Sequence, residues 1–135
     1  MKKGLLRRIP ASKIKAESSL KTAEKWLEEA HKNLDSKAFN SCLLNCYATM
    51  FHSARAILFK DGFREKSHAC IARYLEHVYV KKNLLEQKWI QLLDHQRELR
   101  HQGQYNFTFS ATKNECLQAL KTAKEFLKEM KKLLK

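Results

Sequence analysis

Residues that break regular structure are scarce: the 135-residue chain has three glycines and one proline. So few breakers argue against a fold of many short, turn-linked elements, and the abundance of Leu, Lys, Ala and Glu favours a few long helices. Acidic residues are also in short supply, 14 against 27 Lys and Arg, for a formal charge of +13. That imbalance would attract an anionic partner such as RNA, DNA or an acidic protein; it would equally serve plain solubility on solvated helix faces. The four cysteines, Cys42, Cys46, Cys70 and Cys116, form no CxxC pair and no metal-finger spacing, so neither a metal nor a cofactor is expected. A cytoplasmic protein with reduced thiols is expected. The amino terminus "MKKGLLRRIPASKIK" lacks an apolar run long enough for a signal peptide, and no segment approaches a membrane span.

What the chain does have is helical periodicity. Leu20, Ala23, Leu27, Ala30 and Leu34 recur at three and four residues in a first helix that starts near Ser12 and stops at "NLDS". Asp35 or Ser36 is the candidate cap of a second helix, which runs to "KDG", where Gly62 can end it in the left-handed conformation. This second helix is apolar nearly all round, with Leu44, Tyr47, Phe51 and Leu58 on one side and Phe39, Met50 and Ile57 displaced, so it should be the central one. Cys42 and Cys46 lie on the side away from Leu44 and Phe51 and are expected to pack in the core. A third helix begins after Ser67 with Ile71, Leu75 and Val78 as its stripe. Asn83 is the candidate cap of a fourth, which carries Leu85, Trp89, Leu92, Leu93 and Leu99. The last starts at Ser110 or Thr112 and buries Cys116, Leu120, Ala123, Leu127, Met130 and Leu134, with Thr112 and Glu115 at capping-box spacing. Short loops imply antiparallel neighbours. The expected fold is all-α: a single domain over residues 1–135, an up-and-down bundle of about five helices, with 1–11 a frayed basic lead-in.

Two arginines break this pattern. At 100° per residue, Arg100 falls about 20° from both Trp89 and Leu93, near the middle of the fourth helix's apolar face, with Gln96 beside it. Arg55 falls about 40° from Phe51, inside the stripe of the second helix. A guanidinium cannot be buried there without a partner. Either these side chains snorkel past a helix end or pair with a carboxylate such as Glu65, Glu76 or Asp94, or they meet an anionic ligand. For Arg100 the ligand reading is the stronger, because "HQGQYNF" follows it. Gly103 is expected to release the backbone so that Tyr105 and Phe107 fold over the mouth of the bundle. An arginine, amides and a tyrosine together suit a phosphate or a base.

The tracts "CYATMFHSARAILF", "KSHACIARYLEHVYV" and "RELRHQGQY" resemble the HEPN family of small helical prokaryotic proteins, in the subgroup whose fourth helix ends in Arg, four residues, Tyr. The resemblance spans about Ser41 to Phe107, and the flanking helices fit the family's five-helix layout. It implies a homodimer that brings two such helix ends together across a shared cleft. It also implies either an RNA- or nucleotide-binding module or an RNA-cleaving toxin, often paired with a small nucleotidyltransferase. The nuclease members carry Arg, four to six residues, His, then commonly one residue and a Tyr. Here Arg100 holds the arginine position, Tyr105 the histidine position and Phe107 the later tyrosine position.

That departure bears on chemistry. A histidine exchanges a proton near neutral pH, whereas a tyrosine with a reference pKa of about 10 keeps its own. Metal-independent cleavage would have to use Arg100 with Tyr105, or with His68 or His52 if the fold brings either to the cleft; His101 lies about 100° round from Arg100. With Phe107 in place of the modifiable tyrosine, nucleotidylation there is excluded and Tyr105 is left as the alternative acceptor. The preferred function is a module binding RNA or a nucleotide at a basic dimer cleft, within a toxin–antitoxin-like pair with a nucleotidyltransferase. Its candidate ligand-binding residues are Arg100, Gln104, Tyr105, Arg55, Arg97 and His101. The alternatives are a ribonuclease toxin and a non-catalytic docking partner of a nucleotidyltransferase.

Overall fold

The computed structural model describes residues 6–106 and 108–135, so the place of Phe107 and of the first five residues of the lead-in lies outside the described residues. Helix α1 (Lys13–Asp35) begins where Ser12, in extended conformation, accepts the Lys15 N–H on its hydroxyl at 3.1 Å. This satisfies one of the donors that a helix start leaves open. Helix α2 (Phe39–Asp61) ends as expected at Gly62, with φ at 90°. Its start differs from expectation. Neither Asp35 nor Ser36 caps it: the cap is Ala38, because Ser36 donates its hydroxyl back to the Asn33 carbonyl and Lys37, at φ 64°, turns the chain.

Helices α1 and α2 run antiparallel. Ser12 N–H donates to Phe59 O at one end, and the Asn33 amide donates to Asn45 Oδ1 at the other. Three alanines of α1, Ala16, Ala23 and Ala30, are buried, and small side chains there allow close approach of the two helices. Helix α3 (His68–Leu75) leads into a single π-helical turn, Glu76–Val80. The hydroxyls of Tyr74 and Tyr79 each donate to Asp61 Oδ2 at 2.6 Å, which pins that turn to the end of α2. Asn83 does not cap the next helix; it takes φ 60°, which asparagine tolerates better than most residues, and α4 (Gln87–Tyr105) starts after Glu86. Helix α5 (Lys113–Leu133) starts on the capping box of Thr112 and Glu115.

Helices α1, α2, α4 and α5 make the up-and-down bundle. Cys116 Sγ meets the Phe39 carbonyl at one end, and Lys60 Nζ donates to the Leu133 carbonyl at the other, so α5 lies parallel to α2. Helix α2 is the central one: it supplies buried side chains on all sides, among them Leu43, Met50, Ile57 and Leu58, against Ile71, Ile90, Phe126 and Met130 of its neighbours. Burying each such side chain contributes roughly 1.5–3 kcal/mol. All four cysteines are buried free thiols, with Cys42, Cys46 and Cys116 inside the core as expected. Among the described residues, no helix is long and apolar enough to cross a membrane.

The lead-in is not frayed where it is described. Leu6–Arg8 forms β1, antiparallel to β2 (Phe63–Glu65), with Leu6 opposite Glu65 and Arg8 opposite Phe63. Leu6 packs on the core, and Ile9 N–H donates to Gly62 O at 3.0 Å. Three-residue strands have too little length to show a period in sequence, whereas the contact that forms them is with a turn more than fifty residues away.

The two described glycines should respond oppositely to a methyl group. At Gly62 an added Cβ would meet Ile9 O at 3.0 Å in a left-handed backbone, so Gly62→Ala should cost at least about 1–2 kcal/mol. At Gly103, inside α4, it would meet nothing within 4 Å, so Gly103→Ala should gain about 0.5–1 kcal/mol in urea denaturation.

Candidate functional site

The buried face of α4 consists of Trp89, Ile90, Leu93 and Gln96, with Trp89 edge-on to Phe126 of α5. One turn further, the same face presents Arg100 to Tyr47 of α2. The guanidinium carbon stands 5.1 Å from the Tyr47 ring centroid, and Nη1 donates to Gln104 Oε1 at 2.9 Å. Arg100 Nε is buried without a hydrogen-bond partner, and no carboxylate among the described residues forms an ion pair with this side chain. A guanidinium held against an aromatic face without a carboxylate partner is suited to receive an anion.

Arg55 has the opposite fate. Its Nε and Nη2 donate to the two oxygens of Glu65, at 3.1 and 2.7 Å, with the Glu65 side chain only 6% exposed. This is the carboxylate partner that the broken pattern of α2 called for, and β2 delivers it. The Arg55 guanidinium also lies 4.4 Å from the Phe51 centroid, and the His68 imidazole stacks on Phe51 at 3.9 Å and 17°.

Arg55, His68, Arg100 and Gln104 line one pocket of about 420 Å³, whose floor is Tyr47, Phe51 and Leu44 of α2 and whose far wall is Trp26 of α1. Asn45 and His52 reach it as well. On the other side of Arg100, an adjoining depression of about 520 Å³ is bordered by His68, Arg97, Glu98 and His101. Arg97 shares Asp94 with Arg73, which neutralises part of its charge.

The histidines add no charge to the pocket at neutral pH. Burial, reinforced by the Arg55 charge, pushes His52 down to about 4. Burial and the neighbouring Arg100 and Arg55 also lower His68. Burial pushes the Tyr47 hydroxyl up to about 12, so it keeps its proton, and it shares a hydrogen bond with His68 Nδ1, 3.0 Å away. That contact occupies Nδ1 and leaves Nε2 as the ring nitrogen open to a ligand.

Of the residues expected at the site, the fold brings Arg100, Gln104 and Arg55 to one pocket and Arg97 and His101 to the next. Tyr105 lines neither: it ends α4, is 70% exposed, and packs on His101 with centroids 4.7 Å apart. Gly103 does not release the backbone, because nothing interrupts the hydrogen bonding of α4 before Asn106. His68 and His52 do reach the pocket. Trp26 and Asn45 were not among the expected site residues; the one local signal was a tryptophan standing beside the apolar seam of α1 rather than in it.

The depressed His52 makes stability depend on acid. Unfolded, it binds a proton near its ordinary 6.5; folded, it refuses one until about 4, so stability is full above 6.5 and declines as pH falls from 6.5 towards 4. Urea midpoints taken stepwise through this range should fall, and His52→Gln should flatten the slope; an unchanged slope in the variant would contradict this assignment.

The HEPN domain family matches residues 16–133, a span that takes in nearly all of the five helices. The chain is 26% identical over 116 residues to a protein of Methanocaldococcus jannaschii named as a candidate toxin, covering 86% of each chain. A second protein of that organism, also named as a candidate toxin, is 24% identical over 122 residues, 90% of this chain and 83% of its own. A UPF0332 protein of Pyrococcus horikoshii is 24% identical over 106 residues, 78% of this chain and 71% of its own. A family match across the whole bundle, on a helix order and packing that agree with the five-helix layout, makes this chain a member of the HEPN domain family.

Proposed function

We propose that this chain is the binding module of a toxin–antitoxin-like pair and holds RNA or a nucleotide at a basic cleft built around Arg100. One observation carries the reading: Arg100 borders a pocket and has no acidic partner among the described residues, on a chain of charge +13. Gln104 orients that guanidinium, His68 offers its Nε2 beside it, and Arg97 extends the basic border. The names of the two archaeal relatives support the toxin half of the proposal. A homodimer that joins two such clefts, a nucleotidyltransferase partner and a cytoplasmic setting belong to the same proposal.

The position of His68 beside Arg100 favours one second reading, a metal-independent ribonuclease. In that case Arg100 would stabilise charge on the phosphate and His68 would handle the proton, in place of the exposed Tyr105. The Tyr47 hydroxyl occupies Nδ1 of His68, so any proton handling would fall to Nε2.

Incubating the protein with mixed cellular RNA in metal-free buffer separates the two. Retention without cleavage is expected. Binding should weaken as salt rises, with a log–log slope of about −0.7 per phosphate contact, and Arg100→Ala should weaken it by roughly tenfold or more. Salt-independent retention, or retention untouched in Arg100→Ala, would contradict the binding module. Cleavage lost in His68→Ala and kept in Tyr105→Phe would establish the ribonuclease instead.

A further inference from the structure

The pocket is larger than a phosphate needs, and its chemistry is divided. Arg100 and Gln104 stand on the α4 side, while the α1 side is Trp26 above the apolar surface of Leu44 and Ala48. At about 420 Å³ it falls within the usual range of small-ligand sites, roughly 300–1,000 Å³. Trp26 is 37% exposed, a large aromatic that the core leaves half open on the pocket wall.

Asn45 supplies the polar contact on that apolar side. It is 8% exposed, and its Oδ1 is already taken by the Asn33 amide, so the N–H groups of Asn45 are what it has left to offer a ligand. Those donors match a carbonyl oxygen or ring nitrogen on the edge of a nucleobase. Glu65 is bound at both oxygens by Arg55, so its charge is neutralised where an anionic ligand would approach.

We propose that this pocket holds one unpaired nucleotide, with its base stacked on Trp26 and hydrogen-bonded by the Asn45 amide and its phosphate on Arg100. The inference rests on Arg100 being the anion site and adds the base to it. A paired base would keep its edge and both faces engaged in the helix; a base free in solution or at an unpaired position in a strand would not. Trp26 gives affinity for any base, and Asn45 gives preference among bases.

The test uses the full chain, with ribose 5-phosphate, the four nucleoside 5′-monophosphates and a single-stranded RNA hexamer as probes in calorimetric titrations. At least one monophosphate, or the hexamer for a strand-borne nucleotide, should bind roughly tenfold or more tightly than ribose 5-phosphate. Trp26→Ala should erase that advantage and leave ribose 5-phosphate binding unchanged, while Trp26→Phe should keep most of it. Asn45→Asp, which keeps the shape but not the donors, should alter the order of preference among the bases. If the hexamer binds Trp26→Ala as well as wild type and the monophosphates do no better than ribose 5-phosphate, the base site is overturned and the Arg100 module stands. If wild type binds neither RNA nor any phosphate, both readings fall together.

Discussion

The two-point ion pair between Arg55 and Glu65 is the constraint on which the site depends. It joins the central helix to a strand that exists only because the chain turns at Gly62 and pairs with β1. Removing one partner of a buried pair strands the other charge, at a cost of about 3–5 kcal/mol when burial is complete. The consequences run inward from the pair. Held by Glu65, Arg55 lies on Phe51; Phe51 supports His68; His68 Nδ1 shares a hydrogen bond with the Tyr47 hydroxyl; and Tyr47 carries Arg100 on its face. These contacts run from one aromatic or cationic side chain to the next, so the position of Arg100 is set by its neighbours rather than by its own long side chain.

The same arrangement decides where the charge is. Of the two arginines that line the pocket, one is neutralised by a carboxylate and the other, among the described residues, has only an amide oxygen. Both pocket histidines are held neutral by burial and by those arginines, and Tyr47 is kept protonated. Around neutral pH the pocket therefore has one unneutralised positive group, at its α4 side, and an uncharged aromatic interior. A site divided in this way favours a ligand with one anionic end and one flat, apolar end.

Much of the bundle was legible because it is periodic. The seams of α1 and α5, the Ser12 and Thr112 caps and the Gly62 stop are local patterns, and they lie where those patterns put them. The site was legible through pattern failure: Arg55 and Arg100 occupy apolar stripes, and Glu65 was among the carboxylates that could answer Arg55. What escaped has two causes. The β1–β2 ribbon depends on a contact distant in sequence, whereas the Ala38 cap and the left-handed Asn83 come from local turns, with Ser36 bonding back to Asn33, that compete with the expected caps. Gly103 was misread as a helix breaker, since hydrogen bonds on both sides of it continue α4 at small cost. Trp26 and Asn45 become a wall only when α1 docks on α2, so no spacing within either helix singles them out.

The central claim is that Arg100, and not Arg55, is the group free to take an anion. The most direct test follows the arginine Nε–H resonances of the ¹⁵N-labelled protein while inorganic pyrophosphate is added, with Arg55→Lys and Arg100→Lys variants to assign them. The account predicts that the Arg100 resonance moves and saturates while that of Arg55, locked to Glu65, stays in place. Movement of Arg55 with Arg100 fixed, or no movement of either, would contradict it.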